Sequence, residues 1–87
     1  MSKVSAKRAR DAEALIAEAE ARGTAQGRRA GFTYVTLTSD GYCRSSVTFM
    51  GMGNSVSTRG ENAREALAKA YVFHKIKVDG LNNDGRY

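Results

Sequence analysis

One histidine, one cysteine and nine carboxylates are most of what this 87-residue chain offers to catalysis or metal binding, and their placement argues against both. His74 lies inside the apolar helical run AREALAKAYVFHK, where a packed, hydrogen-bonded histidine is expected rather than a general base. Cys43 falls at a core position of an alternating strand pattern and reads as a small buried hydrophobe. One cysteine and one histidine do not assemble a metal site without scattered carboxylates, and Gly51-Met52-Gly53-Asn54-Ser55 lacks the lysine and spacing of a phosphate-binding loop, so it reads as a tight turn. No enzymatic activity, cofactor or metal is expected. The residue types that do offer chemistry are aromatic and basic: Phe32, Tyr34, Tyr42 and Arg44, at strand spacing. Rings stack on unpaired bases for about 1–3 kcal/mol each, and arginine holds phosphate. The competing reading is that cross-strand aromatics only stabilise a hairpin, at about 0.2–1 kcal/mol per pair.

Charge favours the binding reading. The formal net charge is +5, and residues 22–59 carry Arg22, Arg28, Arg29, Arg44 and Arg59 against Asp40 alone, a local +4. Such a zone attracts phosphates or an acidic protein surface, although a small excess of positive charge also serves solubility. A single cysteine excludes an internal disulfide framework and fits a reducing compartment. No apolar run approaches the roughly 20 residues that span a bilayer, and the charged start leads into alanine and glutamate, so a cytoplasmic protein without membrane association is expected. The length allows one domain, 1–87, with a thin core.

These residues must be positioned by a small α+β scaffold. Ser5 to Arg22 reads as a helix opened by a Ser5 cap and closed by Gly23. Ala9, Ala12, Leu15, Ile16 and Ala19 share its inner face, and Lys7/Asp11 and Glu18/Arg22 are favourable pairs four apart. Thr24–Ala30 (TAQGRRA) is a polar linker that sets Arg28 and Arg29 before the sheet. From Phe32 the period becomes two, interrupted at Ser39-Asp40-Gly41. A two-residue Asp-Gly turn would put Val35 and Leu37 on one face with Arg44. A three-residue loop with a bulge at Gly41 pairs Leu37 with Cys43 and Thr33 with Val47, and this sorts the faces. Thr33, Val35, Leu37, Cys43, Ser45, Val47 and Phe49 are then core; Phe32, Tyr34, Thr36, Thr38, Tyr42, Arg44, Ser46, Thr48 and Met50 lie on the open face. A turn at Gly51–Asn54 leads to a short third strand at Ser55–Ser57, within a sheet of about 31–57.

Thr58-Arg59-Gly60-Glu61 has the form of a capping box and opens a second helix, about 59–78, which Gly80 ends, with a polar tail from 79 to 87. Ala63, Ala66, Leu67, Ala70, Tyr71, Phe73, His74 and Val78 share its inner arc, Arg64 and Lys75 its flank, while Val72 and Ile76 form a second apolar spot on the far side, a possible protein or homodimer contact. The expectation is αβββα with both helices on one sheet face.

That order, with SVSTRGENAREALAKAY opening the second helix, resembles the double-stranded RNA-binding domain over about residues 12–76. The resemblance implies RNA binding from the helix start, where Arg59 and Arg64 are the basic groups and Gly60 and Glu61 replace the family's lysine pair. The size, charge and lack of catalytic residues also make the chain look like a small phage accessory protein of the anti-CRISPR or host-takeover type, which implies inhibition through protein–protein binding to a host protein. The preferred partner is nucleic acid or a nucleoprotein complex, met by Arg28, Arg29, Phe32, Tyr34, Tyr42, Arg44, Arg59 and Arg64; Val72 and Ile76 would serve a protein partner.

Overall fold

Twenty residues of strong helix formers, KVSAKRARDAEALIAEAEAR, build α1 (Lys3–Arg22), and Gly23 ends it at φ 89, with its amide 2.7 Å from the Ala19 carbonyl. The computed structural model describes residues 3–49, 52–78 and 80–81. Ser5 lies two residues inside α1 rather than capping it. Ala12, Leu15, Ile16 and Ala19 are buried and Ala9 packs at their margin, as the wheel predicts. Glu18, paired with Arg22 on the wheel, bonds Arg29 instead, with Arg29 Nη1 donating to Oε1 at 3.0 Å.

The chain is α+β, with two helices and a four-stranded antiparallel meander in place of the expected three strands. The strands are β1 (Thr24–Gly27), β2 (Tyr34–Thr38), β3 (Tyr42–Phe49) and β4 (Met52–Arg59), in that order across the sheet. The segment read as a linker supplies β1, which pairs Ala25 with Leu37 and buries only Ala25 of its four residues. An edge strand this short, buried at one position, carries no visible alternation. β4 is also longer than expected: its ladder runs from Tyr42↔Arg59 to Phe49↔Met52, so the turn assigned to 51–54 is strand from Met52 onward.

The β2–β3 register is the one that segregates the faces. Leu37 lies opposite Cys43, Gly41 takes φ 91, and its amide bonds the Thr38 carbonyl at 3.2 Å. Val35, Leu37, Cys43 and Ser45 are buried with the inner faces of both helices in one cluster, α1 over β1 and β2, α2 (Ala63–Phe73) mainly over β3 and β4. Thr33 and Val47 are half-buried; the Phe49 side chain and Met50 lie outside the described residues.

α2 starts four residues later than predicted. Asn62 is its cap, accepting the Glu65 amide at 2.9 Å through Oδ1, while Thr58 is still paired with Cys43 in β4 and donates its hydroxyl to the Ala66 carbonyl at 2.7 Å. The helix also ends early. Lys75, at φ 59, donates to Val72 and Ile76 donates to Tyr71, a Schellman closure that uses lysine where glycine is usual. Ile76 packs against the core and Val72 is half-buried; Phe73, placed on the inner arc, is instead 53% exposed.

Gly41→Val should cost about 3 kcal/mol in chemical denaturation, since positive φ strains a branched residue and its Cβ would lie 2.1 Å from the Gly60 carbonyl oxygen. Asn62→Ala should cost about 1 kcal/mol and release the Glu65 amide to solvent exchange, whereas Thr58→Ala should leave that amide protected.

Candidate nucleic-acid interface

The turn at Ala30 and Gly31, both at positive φ, decides which aromatic residues remain available. Tyr71 rises from α2 and donates its buried hydroxyl to the Ala30 carbonyl. Phe32 then follows Gly31 inward and stacks on Tyr71 with ring centroids 4.8 Å apart. Phe32 is 3% exposed, so it belongs to the core and not to the open face. Alternation failed there because β2 begins at Tyr34, and Phe32 is still in the turn. Burial raises the Tyr71 phenol well above its usual range, which keeps it a neutral donor.

His74 completes this cluster. Its Nε2 lies 3.0 Å from Ser45 Oγ and its ring meets Phe32 and Phe73 edge-on at 5.9 and 5.5 Å. Nδ1 is buried with no hydrogen-bond partner among the described residues, and burial holds the imidazole pKa below its ordinary value. This is the packed, hydrogen-bonded histidine expected from its position. Cys43 is buried, and burial lifts its thiol to about 11, partly offset by Thr58, so it is an un-ionised core residue. Among the described residues no group of three histidine, cysteine or carboxylate side chains is arranged to hold a metal ion, and no helix is long and apolar enough to cross a membrane.

The predicted arginines divide into tied and untied groups. Arg29 is half-buried against Glu18, and Arg64 forms a two-pronged pair with Glu13 that joins α2 to α1 and holds the Glu13 carboxyl below its usual range. Arg28 is exposed in the loop after β1, apart from the sheet face. Arg59 lies over the Tyr42 ring, 5.6 Å from its centroid. Arg44 is exposed at the middle of β3, and no ion pair or side-chain hydrogen bond holds it among the described residues.

The face turned away from the helices therefore unites Tyr34, Tyr42, Arg44 and Arg59, and leaves out Phe32, Arg29 and Arg64. Register explains the grouping: Tyr34↔Ser46↔Ser55, Thr36↔Arg44↔Ser57 and Tyr42↔Arg59 are successive cross-strand rows. Tyr34, 49% exposed, donates its hydroxyl to Gln26 Oε1 at 3.1 Å, and Tyr42 Oη lies 3.2 Å from Ser57 Oγ. Beside the Tyr34 ring, Tyr34, Thr36, Arg44, Ser45, Ser46 and Ser55 line a shallow hollow of about 300 Å³. Sequence reasoning placed Ser46 on this surface but missed Gln26 and Ser55. The alternation Ser55-Val56-Ser57 is the signal for Ser55, whereas the segment read as a linker gives none for Gln26.

Asp40 stands at the corner of this face. It accepts from the Thr38 hydroxyl, which holds its carboxyl below the usual range, with a smaller contribution from Arg59. No family model matches the chain, and no curated protein or solved structure shows significant similarity to it.

Because protonation would place charge on a ring packed between Phe32 and Phe73, His74 couples stability to pH. Its folded pKa is lowered, so its contribution is complete above the unfolded value of about 6.5 and is lost as pH falls below it. Thermal midpoints measured between pH 7 and pH 5 should drop more steeply for the wild type than for His74→Gln.

Proposed function

We infer that this chain is a non-enzymatic binding module whose uncovered sheet face engages single-stranded nucleic acid, free or displayed on a nucleoprotein complex. The observation that carries the reading is Arg44, an exposed, unpaired guanidinium between the rows of two tyrosines on a face that otherwise carries hydroxyls, an amide and Arg59. An unpaired arginine flanked by rings suits a phosphate whose neighbouring bases stack on either side. Tyr34 and Tyr42 sit on neighbouring strands with Arg44 between them, roughly 14 Å apart by strand geometry. Tyr34 offers a bare ring, and at Tyr42 the overlying Arg59 offers its own planar guanidinium to a base.

Single strands fit this surface better than a duplex. Rings work only on bases whose faces are free, whereas duplex RNA is gripped through phosphates and 2′-hydroxyls. At the start of α2, where the resemblance to the double-stranded RNA-binding domain puts the contacts, Glu61 and Glu65 flank Arg64, and Arg64 is already neutralised by Glu13. Of the predicted site arginines, Arg44 and Arg59 on the sheet have no carboxylate partner in an ion pair among the described residues, whereas Arg29 and Arg64 do.

Titration of labelled single- and double-stranded oligonucleotides at two salt concentrations tests the proposal. Tyr34→Ala should weaken single-strand binding about tenfold. Arg44→Gln should lower the salt slope by about 0.7, the increment for one phosphate on a single strand. Arg64→Gln should change neither, being tied to Glu13. Absence of binding to any oligonucleotide at low salt would refute the reading, as would a duplex preference that survives Tyr34→Ala.

A further inference from the structure

β4 is the last strand of the sheet, and its outer edge has an alternation of its own. The Gly60 amide bonds the Gly41 carbonyl at 2.8 Å, so in this antiparallel ladder the even-numbered residues of β4 turn their backbone groups toward β3. The odd-numbered residues, Gly53, Ser55, Ser57 and Arg59, turn theirs outward. The Arg59 carbonyl fits this phase: it accepts the Lys69 ammonium at 2.9 Å from outside the sheet. Gly53, Ser55 and Ser57 are exposed, and nothing among residues 53–57 guards the edge in the usual ways, with no lysine, proline or inward charge. The opposite edge is different, since β1 is only four residues long and ends at Gly27.

We propose that the outer edge of β4 pairs with the same edge of a second copy of this chain, antiparallel about a twofold axis at Ser55, making one continuous eight-stranded sheet. Three observations select a second copy as the occupant. The strip is self-complementary: with Ser55 facing Ser55, Gly53 faces Ser57 and Ser57 faces Gly53, so the outward amides and carbonyls of these three residues meet their counterparts and a hydroxymethyl side chain lies beside a hydrogen. The strip is uncharged in a chain of net charge +5, so two copies can approach along it without opposing like charges. Finally, α2 carries an exposed apolar side chain on the same flank. Lys69 reaches the β4 edge, and Phe73 is one helical turn further along that flank, 53% exposed. A copy docked edge to edge would bring its own β4 beneath that ring. The same symmetry joins the two open faces, with each Arg44 one strand in from the junction.

Sedimentation equilibrium over a range of protein concentrations, without nucleic acid, tests this independently of the binding reading. The wild type should be a dimer. Ser55→Pro removes an amide that faces away from β3 and should give a folded monomer. Phe73→Ser should raise the dimer dissociation constant about tenfold. Hydrogen exchange decides the matter even if the proline variant fails to fold: the Ser55 and Ser57 amides should be protected at high concentration and exchange freely on dilution. A wild type that is monomeric at every concentration, or edge amides whose exchange ignores concentration, would overturn the proposal.

Discussion

The architecture depends on the close approach of two glycines, Gly41 and Gly60. Gly41 turns the chain at φ 91 between β2 and β3, and its carbonyl accepts the Gly60 amide where β4 leaves the sheet for α2. No side chain fits at either position: a Cβ on Gly41 would meet the Gly60 carbonyl, and one on Gly60 would meet Glu65. This contact continues the β3–β4 ladder past Tyr42↔Arg59 and joins the hairpin end to the segment that leads into α2. The Gly41 amide, bonded to the Thr38 carbonyl, closes the bulged turn that registers β2 against β3. The side chains of each strand are assigned to the core or to the open face by that register, because a slip of one residue would exchange the faces.

Given that register, the molecule divides its aromatic and polar groups between two surfaces. Beneath the helices, Tyr71, Phe32 and His74 form a ring cluster anchored by the Ala30 carbonyl and Ser45, which closes the α2 side of a core otherwise built of alanine and single large aliphatics. Close packing of alanine-rich helices leaves little apolar area per residue, so the stacked Phe32–Tyr71 pair contributes disproportionately, at about 0.5–1.5 kcal/mol beyond its area. On the outer face there is no such demand, and the residues there are hydroxyls, two tyrosines and two arginines.

Electrostatic pairing sharpens the contrast between the surfaces. Where helices meet each other or the loop after β1, Arg64 and Arg29 have carboxylate partners on α1, and Glu65–Lys69 adds an exposed pair on α2. These exposed and half-exposed bridges contribute little to stability, but they cancel positive charge on the helical side. The excess positive charge of the middle of the chain is thereby left at Arg22, Arg28, Arg44 and Arg59, the last two of them on the sheet. A phosphate approaching that face meets cations without competing anions except Asp40.

Local periodicity was enough to read α1, the β2–β3 pairing and the buried Cys43, because each follows from the pattern of one helix or hairpin. It also put His74 on the packed arc of the second helix, although its partners Ser45 and Phe32 are distant in sequence. The caps of α2 were not legible for a definite reason. Thr58-x-x-Glu61 and Asn62-x-x-Glu65 satisfy the same local pattern, and the choice between them is made by β4, which still holds Thr58 opposite Cys43. Likewise β1 has one buried residue and no alternation, so only the edge offered by β2 makes it a strand, and Phe32 turns inward only because Tyr71, 39 residues later, is there to receive it. The open face follows the same rule. Its tyrosines and Arg44 were visible in the strand spacing, whereas the neutralisation of Arg29 and Arg64, predicted alongside them, depended on which carboxylates α1 presents, a matter of helix docking that no stretch of sequence contains.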